Sequence, residues 1–122
     1  MGSVPAFFLQ KLYVKGSLKN IAAGFELSIR NTLAPGTIVG LMALKVDGAE
    51  YPLEHTVAIL SDGTRVSAAE VSASTPLRFS VGDQVTIQVQ CPPLAAGMHR
   101  LLICPKTKEA GLLEISAQDT IA

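Results

Sequence analysis

The stretch PGTIVGLMALKVDGAEYP, residues 35–52, decides the predicted fold. After the Pro35-Gly36 turn, the nine residues from Thr37 to Lys45 contain a single charge, and Val46 then leads into Asp47-Gly48. An Asp-Gly pair that follows an apolar run is typical of a two-residue β-hairpin. The stretch therefore predicts a strand and its return.

Both faces of this predicted strand are apolar. Successive side chains of a strand point to opposite sides, so Ile38, Met42 and Leu44 would share one face while Val39 and Leu41 share the other. We expect water to be excluded from both flanks of residues 38–46. One face can lie on the protein's own core, and the other against another layer, another copy or another protein. The predicted interface residues are Ile38, Val39, Leu41, Met42 and Leu44.

Length and composition indicate one domain with a partly hidden surface. The 122 residues predict a single domain over 1–122, with a flexible start at 1–5. Charged residues make up 16% of the chain, against about 25% in typical soluble proteins. The mean hydropathy is +0.38. The formal net charge is zero, so neither nucleic acid nor an anionic membrane is an expected partner.

Targeting and redox signals favour a cytoplasmic location. The apolar patch at residues 6–9 is too short for a signal-peptide core, and no stretch has the length needed to span a bilayer. Cys91 and Cys104 are expected at the far ends of a hairpin, about 17 Å apart, so we predict two free thiols.

Short strands at regular spacing decide the predicted fold class. Phe7–Val14 is read as a first strand, and residues 24–30 and 84–90 alternate apolar with polar side chains. Glycine, proline and Asp-Gly pairs separate these runs, and Ser67–Glu70 matches a capping box that predicts one helical turn at most. The pattern predicts an all-β antiparallel two-sheet β-sandwich, Ig/fibronectin-like, of about eight strands. A barrel is the second choice.

No constellation of residues names a reaction or a metal. His55 and His99 have no partner at a ligand spacing, so both are interpreted as surface or loop histidines rather than as ligands or bases. Asp47, Asp62 and Asp83 lie beside glycines, where carboxylates bond their own backbone in turns. We predict neither catalytic residues nor a metal site in this chain.

Two loops are the candidates for contact with a substrate. These are Asn31–Gly36 and Cys91–His99, because they connect predicted strands and carry polar groups. The side chains to test first as substrate-loop residues are Arg30, Tyr51, His55 and His99.

Three runs, LYVKGSLKN (12–20), GFELSIR (24–30) and PGTIVGLMALKVDG (35–48), carry a family resemblance. They resemble the beta subunits of bacterial C-glycoside deglycosidases, with looser agreement in VGDQVTIQV (81–89) and GMHRLLI (97–103). This resemblance implies a β-sandwich joined to a larger sugar-isomerase-like barrel subunit, which holds the divalent metal and the catalytic base. The present chain would then carry no cofactor.

A second likeness is set aside. Short chains with a similar opening carry the label hydroxymethylglutaryl-CoA reductase. No nucleotide fingerprint is present here, and one small sheet domain leaves no room for cofactor and substrate sites.

Three hypotheses for function follow. The first is a noncatalytic accessory subunit that docks on a larger enzyme, here a carbon–carbon lyase, and lends a loop to its substrate pocket. The second is a self-associating structural module, in which the apolar strand pairs with its twin across a two-fold axis. The third is a small stand-alone lyase or hydrolase, which needs the fold to bring acids to His55 or His99.

Overall fold

Residues 5–122 are described by the structure, a computed structural model of the chain. The predicted flexible start falls mainly on residues 1–4, which lie outside the described residues. The described part holds one short helix, thirteen strands and two 3₁₀ turns, at Leu53–His55 and Ala68–Glu70. The helix and strands are α1 (Ala6–Gln10), β1 (Lys19–Ile21), β2 (Gly24–Arg30), β3 (Gly36–Leu41), β4 (Leu44–Val46), β5 (Ala49–Tyr51), β6 (Thr56–Ile59), β7 (Arg65–Ser67), β8 (Leu77–Phe79), β9 (Gln84–Gln90), β10 (Gly97–Ile103), β11 (Pro105–Thr107), β12 (Gly111–Leu112) and β13 (Ile115–Ile121).

The strands form three antiparallel sheets. Sheet 1 has the order β1-β2-β9-β6-β7, sheet 2 the order β13-β10-β4-β5, and sheet 3 the order β12-β11-β3-β8. The antiparallel, mostly β class is confirmed. The count of about eight strands is wrong, because residues 5–122 form thirteen, and so is the limit of one helical turn. Within residues 5–122, no helix has the length and apolar composition needed to cross a membrane.

Sheets 2 and 3 are two halves of one pair of bent strands. Strands β3 and β4 follow each other with only Met42 and Ala43 between them, and β10 and β11 are separated only by Cys104. The Met42 N–H donates to the Cys104 carbonyl across the bend, at 3.0 Å. The bend divides two strands predicted from the sequence into four. This accounts for part of the difference between the predicted and the observed number of strands.

The predicted hairpin at Asp47-Gly48 is confirmed. Val46 pairs with Ala49, so the loop holds two residues, with φ of 53° at Asp47 and 85° at Gly48. Positive φ at both positions defines the mirror-image turn that matches the twist of antiparallel strands. The second Asp-Gly turn, at residues 62–63, likewise connects β6 to β7.

Residues 38–46 do not follow the simple alternation that the sequence suggested. Opposite β11, Lys106 pairs with Gly40 and Thr107 with Ile38, which leaves Val39 as an extra residue in a β-bulge. The bulge and the later break let Ile38, Leu41 and Leu44 all contact the core at spacings of three. The expectation that both flanks exclude water is therefore wrong, because Met42 is 57% exposed.

This topology also contradicts pairing of the apolar strand with its twin. Strand β3 lies between β11 and β8, and strand β4 lies between β10 and β5. Backbone groups on both sides of these two strands are already used within the chain. A second copy would find no continuous free edge there.

The predicted first strand at Phe7–Val14 is wrong. Helix α1 begins after Pro5, and the packing of α1 and of the turn after it buries Leu9 and Leu12, which are three positions apart. Apolar residues at 7–9 and 12 fit helical and strand spacing about equally well, so packing against β13 decided the outcome. Only Tyr13 joins a sheet, through an isolated bridge to Ile29.

All three sheets contribute to the hydrophobic core. Sheet 1 supplies Phe25, Leu27 and Ile29 from β2, all essentially inaccessible to water, as their alternation with polar residues predicted. The buried apolar residues from all three sheets belong to one cluster, which includes Leu44, Leu101 and Ile115. Cys91 and Cys104 are free thiols, as predicted.

Candidate functional site

The two candidate loops lie at opposite ends of the same strand pair. In the β2/β9 ladder Gly24 pairs with Gln90, and Arg30 pairs with Gln84. The loop 31–36 follows Arg30 at one end, whereas the loop 91–96 follows Gln90 at the other, about 20 Å away at strand rise. The two loops therefore do not form one joint site, and a contact of either loop with a substrate stays a prediction. Arg30 donates to the Gln84 side chain at 3.1 Å and shares no site with His99.

His99 and Asp47 form the closest acid–histidine pair of the described residues. The Nδ1 of His99 lies 2.6 Å from Oδ2 of Asp47, and its Nε2 lies 2.7 Å from the Ala95 carbonyl oxygen. The other carboxylate oxygen of Asp47 accepts the backbone N–H of Arg100 at 2.8 Å. The hairpin turn at Asp47 is thereby joined to β10 and to the loop before it.

These contacts favour the protonated form of His99 over a free base. Each ring nitrogen faces an oxygen that can only accept, so both nitrogens must carry protons to satisfy the two bonds. The Ala95 carbonyl, and next the Asp47 carboxylate, raise the pKa of His99. The Arg100 N–H and then His99 lower the pKa of Asp47. A ring without a free lone pair cannot take a proton from a substrate while these bonds hold.

The other two predicted substrate-loop residues make no hydrogen bond to the His99–Asp47 pair. Tyr51 packs edge-on against Phe25, with 5.3 Å between ring centroids. Burial is the largest cause of the raised pKa of Tyr51, and Asp47 is near enough to Tyr51 to help raise it. His55 is exposed in the 3₁₀ turn that precedes β6. The structure therefore does not bring Arg30, Tyr51, His55 and His99 together.

The predicted interface residues divide between core and surface. Ile38 and Leu44 are buried by this chain's own residues, so a partner cannot reach them. Val39 and Leu41 are half-buried, and only Met42 is well exposed.

A polar centre that the sequence did not reveal joins Tyr13 to Asp119. Burial is the strongest influence on the pKa of Asp119 and raises it. The Tyr13 hydroxyl and the N–H groups of Thr120, Gly16 and Leu18 together outweigh burial and hold that pKa below its ordinary value. Burial, and next the bond to Asp119, raise the pKa of Tyr13. No local motif signals this pair.

A wide concavity lies over the outer face of sheet 2. Its volume is about 890 Å3, and it is open to solvent. On β10 the side chains of His99, Leu101 and Ile103 are buried, so Arg100 and Leu102 point outward. The remaining walls come from β4, β13 and the segment around α1. The lining residues are Gln10, Tyr13, Lys15, Lys45, Gly48, Arg100, Leu101, Leu102, Ser116, Ala117 and Gln118.

Potential metal ligands do not converge in residues 5–122. No three His, Cys, Asp or Glu side chains there lie close enough to hold one ion.

The fold defines this protein as a mostly β domain. Two of its buried or half-buried polar pairs, His99–Asp47 and Tyr13–Asp119, connect segments of the same chain. The chain belongs to the family described as hydroxymethylglutaryl-CoA reductase, N-terminal domain, which matches residues 8–122. Among curated proteins, a search found no matching relative.

The family match corrects two interpretations of the sequence. These are the resemblance to C-glycoside deglycosidase beta subunits and the reasoning against the reductase label. The likeness to C-glycoside deglycosidase beta subunits is wrong as a family assignment, because the matching family is a different one. The predictions of a sugar-isomerase-like partner and of a divalent metal in that partner rested on this likeness, so they are no longer supported. The missing nucleotide fingerprint did not exclude the reductase label, because that label describes an N-terminal domain.

Proposed function

We propose that this chain is a noncatalytic domain that docks on the catalytic part of an enzyme. The family description supports this most directly, because it covers 8–122 and names an N-terminal domain of hydroxymethylglutaryl-CoA reductase. Reductase catalysis would then reside in the partner region, and this domain would stabilise or position it.

The use of the polar groups supports a structural role. His99 has both ring nitrogens bonded, and Asp119 receives one O–H and three N–H groups. Because these side chains hold distant segments of the chain together, we interpret their role as stabilisation of the fold rather than proton transfer.

The finer architecture that we propose is a two-layer β-sandwich. Sheet 1 forms one layer, and the bent pair of sheets 2 and 3 forms the other. Their shared apolar cluster supports this arrangement, because one core enclosed by two layers is the usual way to bury one face of each sheet. We also propose a cytoplasmic location, which the two free thiols support.

Helix α1 offers the contact surface that we assign to docking. Phe7 is 58% exposed and Phe8 is 38% exposed, and their ring centroids lie 4.1 Å apart. The Lys11 ammonium lies 5.7 Å and 5.8 Å from the two ring centroids. Adjacent exposed aromatic rings beside a cation have the composition of an interface centre.

Solution mass and binding test this proposal. The chain is mixed with the catalytic region of a hydroxymethylglutaryl-CoA reductase from the same organism, and the complex is followed by light scattering and calorimetry. We expect a complex with a Kd of about 1 µM or tighter. The double change Phe7→Ser and Phe8→Ser should weaken it about tenfold or more. Leu112→Ser, at a 48% exposed site on β12, is the matched control and should leave it intact.

Three outcomes would contradict the proposal. They are the absence of a complex, a stable homodimer of the chain that excludes the reductase, and turnover of hydroxymethylglutaryl-CoA by this chain alone.

A further inference from the structure

Three basic side chains surround the concavity on the outer face of sheet 2. Lys45 pairs with Leu102, and Arg100 pairs with Gln118, so Lys45 and Arg100 are diagonal neighbours on one face. Such neighbours lie about 7–8 Å apart in a sheet, within reach of one anion for two long side chains. Lys15 lines the same concavity from the segment after α1.

The polar lining is rich in hydrogen-bond donors and contains no carboxylate. Lys15, Lys45 and Arg100 can only donate, and the side chains of Gln118 and Ser116 can donate as well. Within residues 5–122, the Arg100 guanidinium makes no hydrogen bond or ion pair, although its backbone N–H binds Asp47. A planar guanidinium offers paired N–H groups that match the oxygens of phosphate.

Two carboxylates that contact lining residues are already engaged. Asp47 binds His99 and the Arg100 N–H, so its charge is opposed by the imidazolium. Glu50 lies 3.8 Å from the Lys45 ammonium, and both side chains are substantially exposed. An exposed ion pair of this kind contributes little, so a ligand anion can replace Glu50 beside Lys45.

The centre of the concavity is apolar. Leu102 is half-buried and lies among Arg100, Ser116 and Gln118, which project from β10 and β13 on the same face. A volume of about 890 Å3 is also far larger than a lone inorganic ion occupies. The lining therefore fits a molecule with an anionic end and an apolar part.

We propose that this concavity binds a small phosphorylated organic molecule. Its phosphate contacts Arg100 and Lys45, with Lys15 opposite, and its apolar part covers Leu102. This binding does not depend on the docking of α1 to an enzyme, so either proposal can fail alone.

Titration of the isotope-labelled chain by NMR tests the site with two probes, inorganic phosphate and phenyl phosphate. Ionic strength is held constant with sodium chloride, because exposed charges are screened by salt. We expect saturable shifts at the amides of Arg100, Leu102 and Gln118. Phenyl phosphate should bind more tightly than inorganic phosphate, because only it covers the apolar centre.

Variants at matched sites complete the test. Arg100→Gln should weaken phenyl phosphate binding about tenfold, which is the loss expected for charge-assisted hydrogen bonds. Arg65→Gln is the control, because Arg65 is also exposed and binds only the Gln88 side chain, on sheet 1. Thermal melting of both variants checks that they remain folded.

Each contrary result overturns the site. These results are the absence of saturable shifts in the concavity, equal losses in the two variants, and equal binding of the two probes. A fourth is tighter binding of an acidic peptide than of phenyl phosphate at the same amides, which would indicate a protein partner.

Discussion

The phenol of Tyr13 donates a hydrogen bond to the carboxylate of Asp119, with 2.5 Å between Oη and Oδ2, across 106 positions of the sequence. The same oxygen accepts the Gly16 N–H at 2.8 Å. One buried carboxylate thus attaches the segment after α1 to β13. Without it, the backbone N–H groups of Gly16 and Leu18 would lose their partner.

Tyr13→Phe should destabilise the domain. The change removes the hydroxyl and leaves the Asp119 carboxylate buried with fewer donors, which costs about 1–3 kcal/mol of the free energy of unfolding. Urea denaturation followed by circular dichroism measures this loss. Tyr51→Phe is the control, because the Tyr51 hydroxyl has no hydrogen-bond partner within residues 5–122, and its cost should be smaller. Equal costs would mean that the Tyr13–Asp119 bond contributes nothing of its own.

His99 should make stability fall at alkaline pH. Its pKa is raised in the folded chain, so its stabilising contribution is fully present below the ordinary value of about 6.5 and is lost as pH rises through the folded pKa. Titration of the imidazole protons by NMR should give a pKa above 6.5. Unfolding of wild type and His99→Gln should differ more at pH 6 than at pH 9.

His55→Gln serves as the comparison for that experiment, because His55 is exposed. Its cost at pH 6 should be smaller than that of His99→Gln, because an exposed side chain can exchange its contacts for water. A folded-state pKa of His99 at or below 6.5 would contradict the doubly bonded imidazolium.

Asn31→Ala should be costly because Asn31 connects two turns from a buried position. Its amide nitrogen donates to the carbonyls of Phe79 at 2.6 Å and Ala34 at 2.8 Å, and its side-chain oxygen accepts the Leu33 N–H. Alanine leaves these two carbonyls and this N–H without their hydrogen-bond partner. We therefore expect a loss of about 2–3 kcal/mol in the free energy of unfolding.

Asn20→Ala is the matched control for that loss. Asn20 also bonds one backbone residue twice, through the N–H and carbonyl of Leu94 at 2.9 Å each, but it is exposed. Water can replace these bonds, so the cost should stay at about 1 kcal/mol or less. A larger loss for Asn20→Ala than for Asn31→Ala in chemical denaturation would refute the role of burial.

Gly24→Ala should disrupt the junction of β2 and β9. A Cβ at Gly24 would lie 1.9 Å from the Val89 carbonyl oxygen, and backbone cannot move aside as a flexible side chain can. We expect about 3 kcal/mol of destabilisation or a failure to fold. At Gly40 in β3 the nearest atom would be the Lys106 Cβ at 3.7 Å, so Gly40→Ala should change stability by no more than about 1 kcal/mol. Differential scanning calorimetry measures the stability of both variants. An equal loss in the two would contradict this prediction.

Local chemistry made the hairpins and the clearest strands predictable. Asp47-Gly48 and Asp62-Gly63 provide the backbone freedom of their turns, and β2 and β9 alternate with a period of two. Asp62 and Asp83 bond nearby backbone N–H groups in their turns, as predicted. Asp47 differs, because its carboxylate binds His99 and Arg100 on a different strand.

The candidate site could be predicted only in part. His99 was singled out, but its partner Asp47 is 52 positions away, and no spacing rule connects the two. Lys15, Lys45 and Arg100 come from three separated segments, and only the pairing of β4, β10 and β13 brings two of them onto one face. The net charge of the whole chain does not reveal such clusters, because its positive and negative residues sum to zero.

By itself, the order of residues determined the β-rich class, the two Asp-Gly returns and the half-buried alternation of β2 and β9, because these depend on dihedral preferences and on neighbours a few positions apart. Only the tertiary structure decided that residues 6–10 form a helix, that residues 38–46 bulge and bend, and that Tyr13 meets Asp119. Those outcomes depend on which distant surfaces must be buried together and which buried polar atoms must find partners.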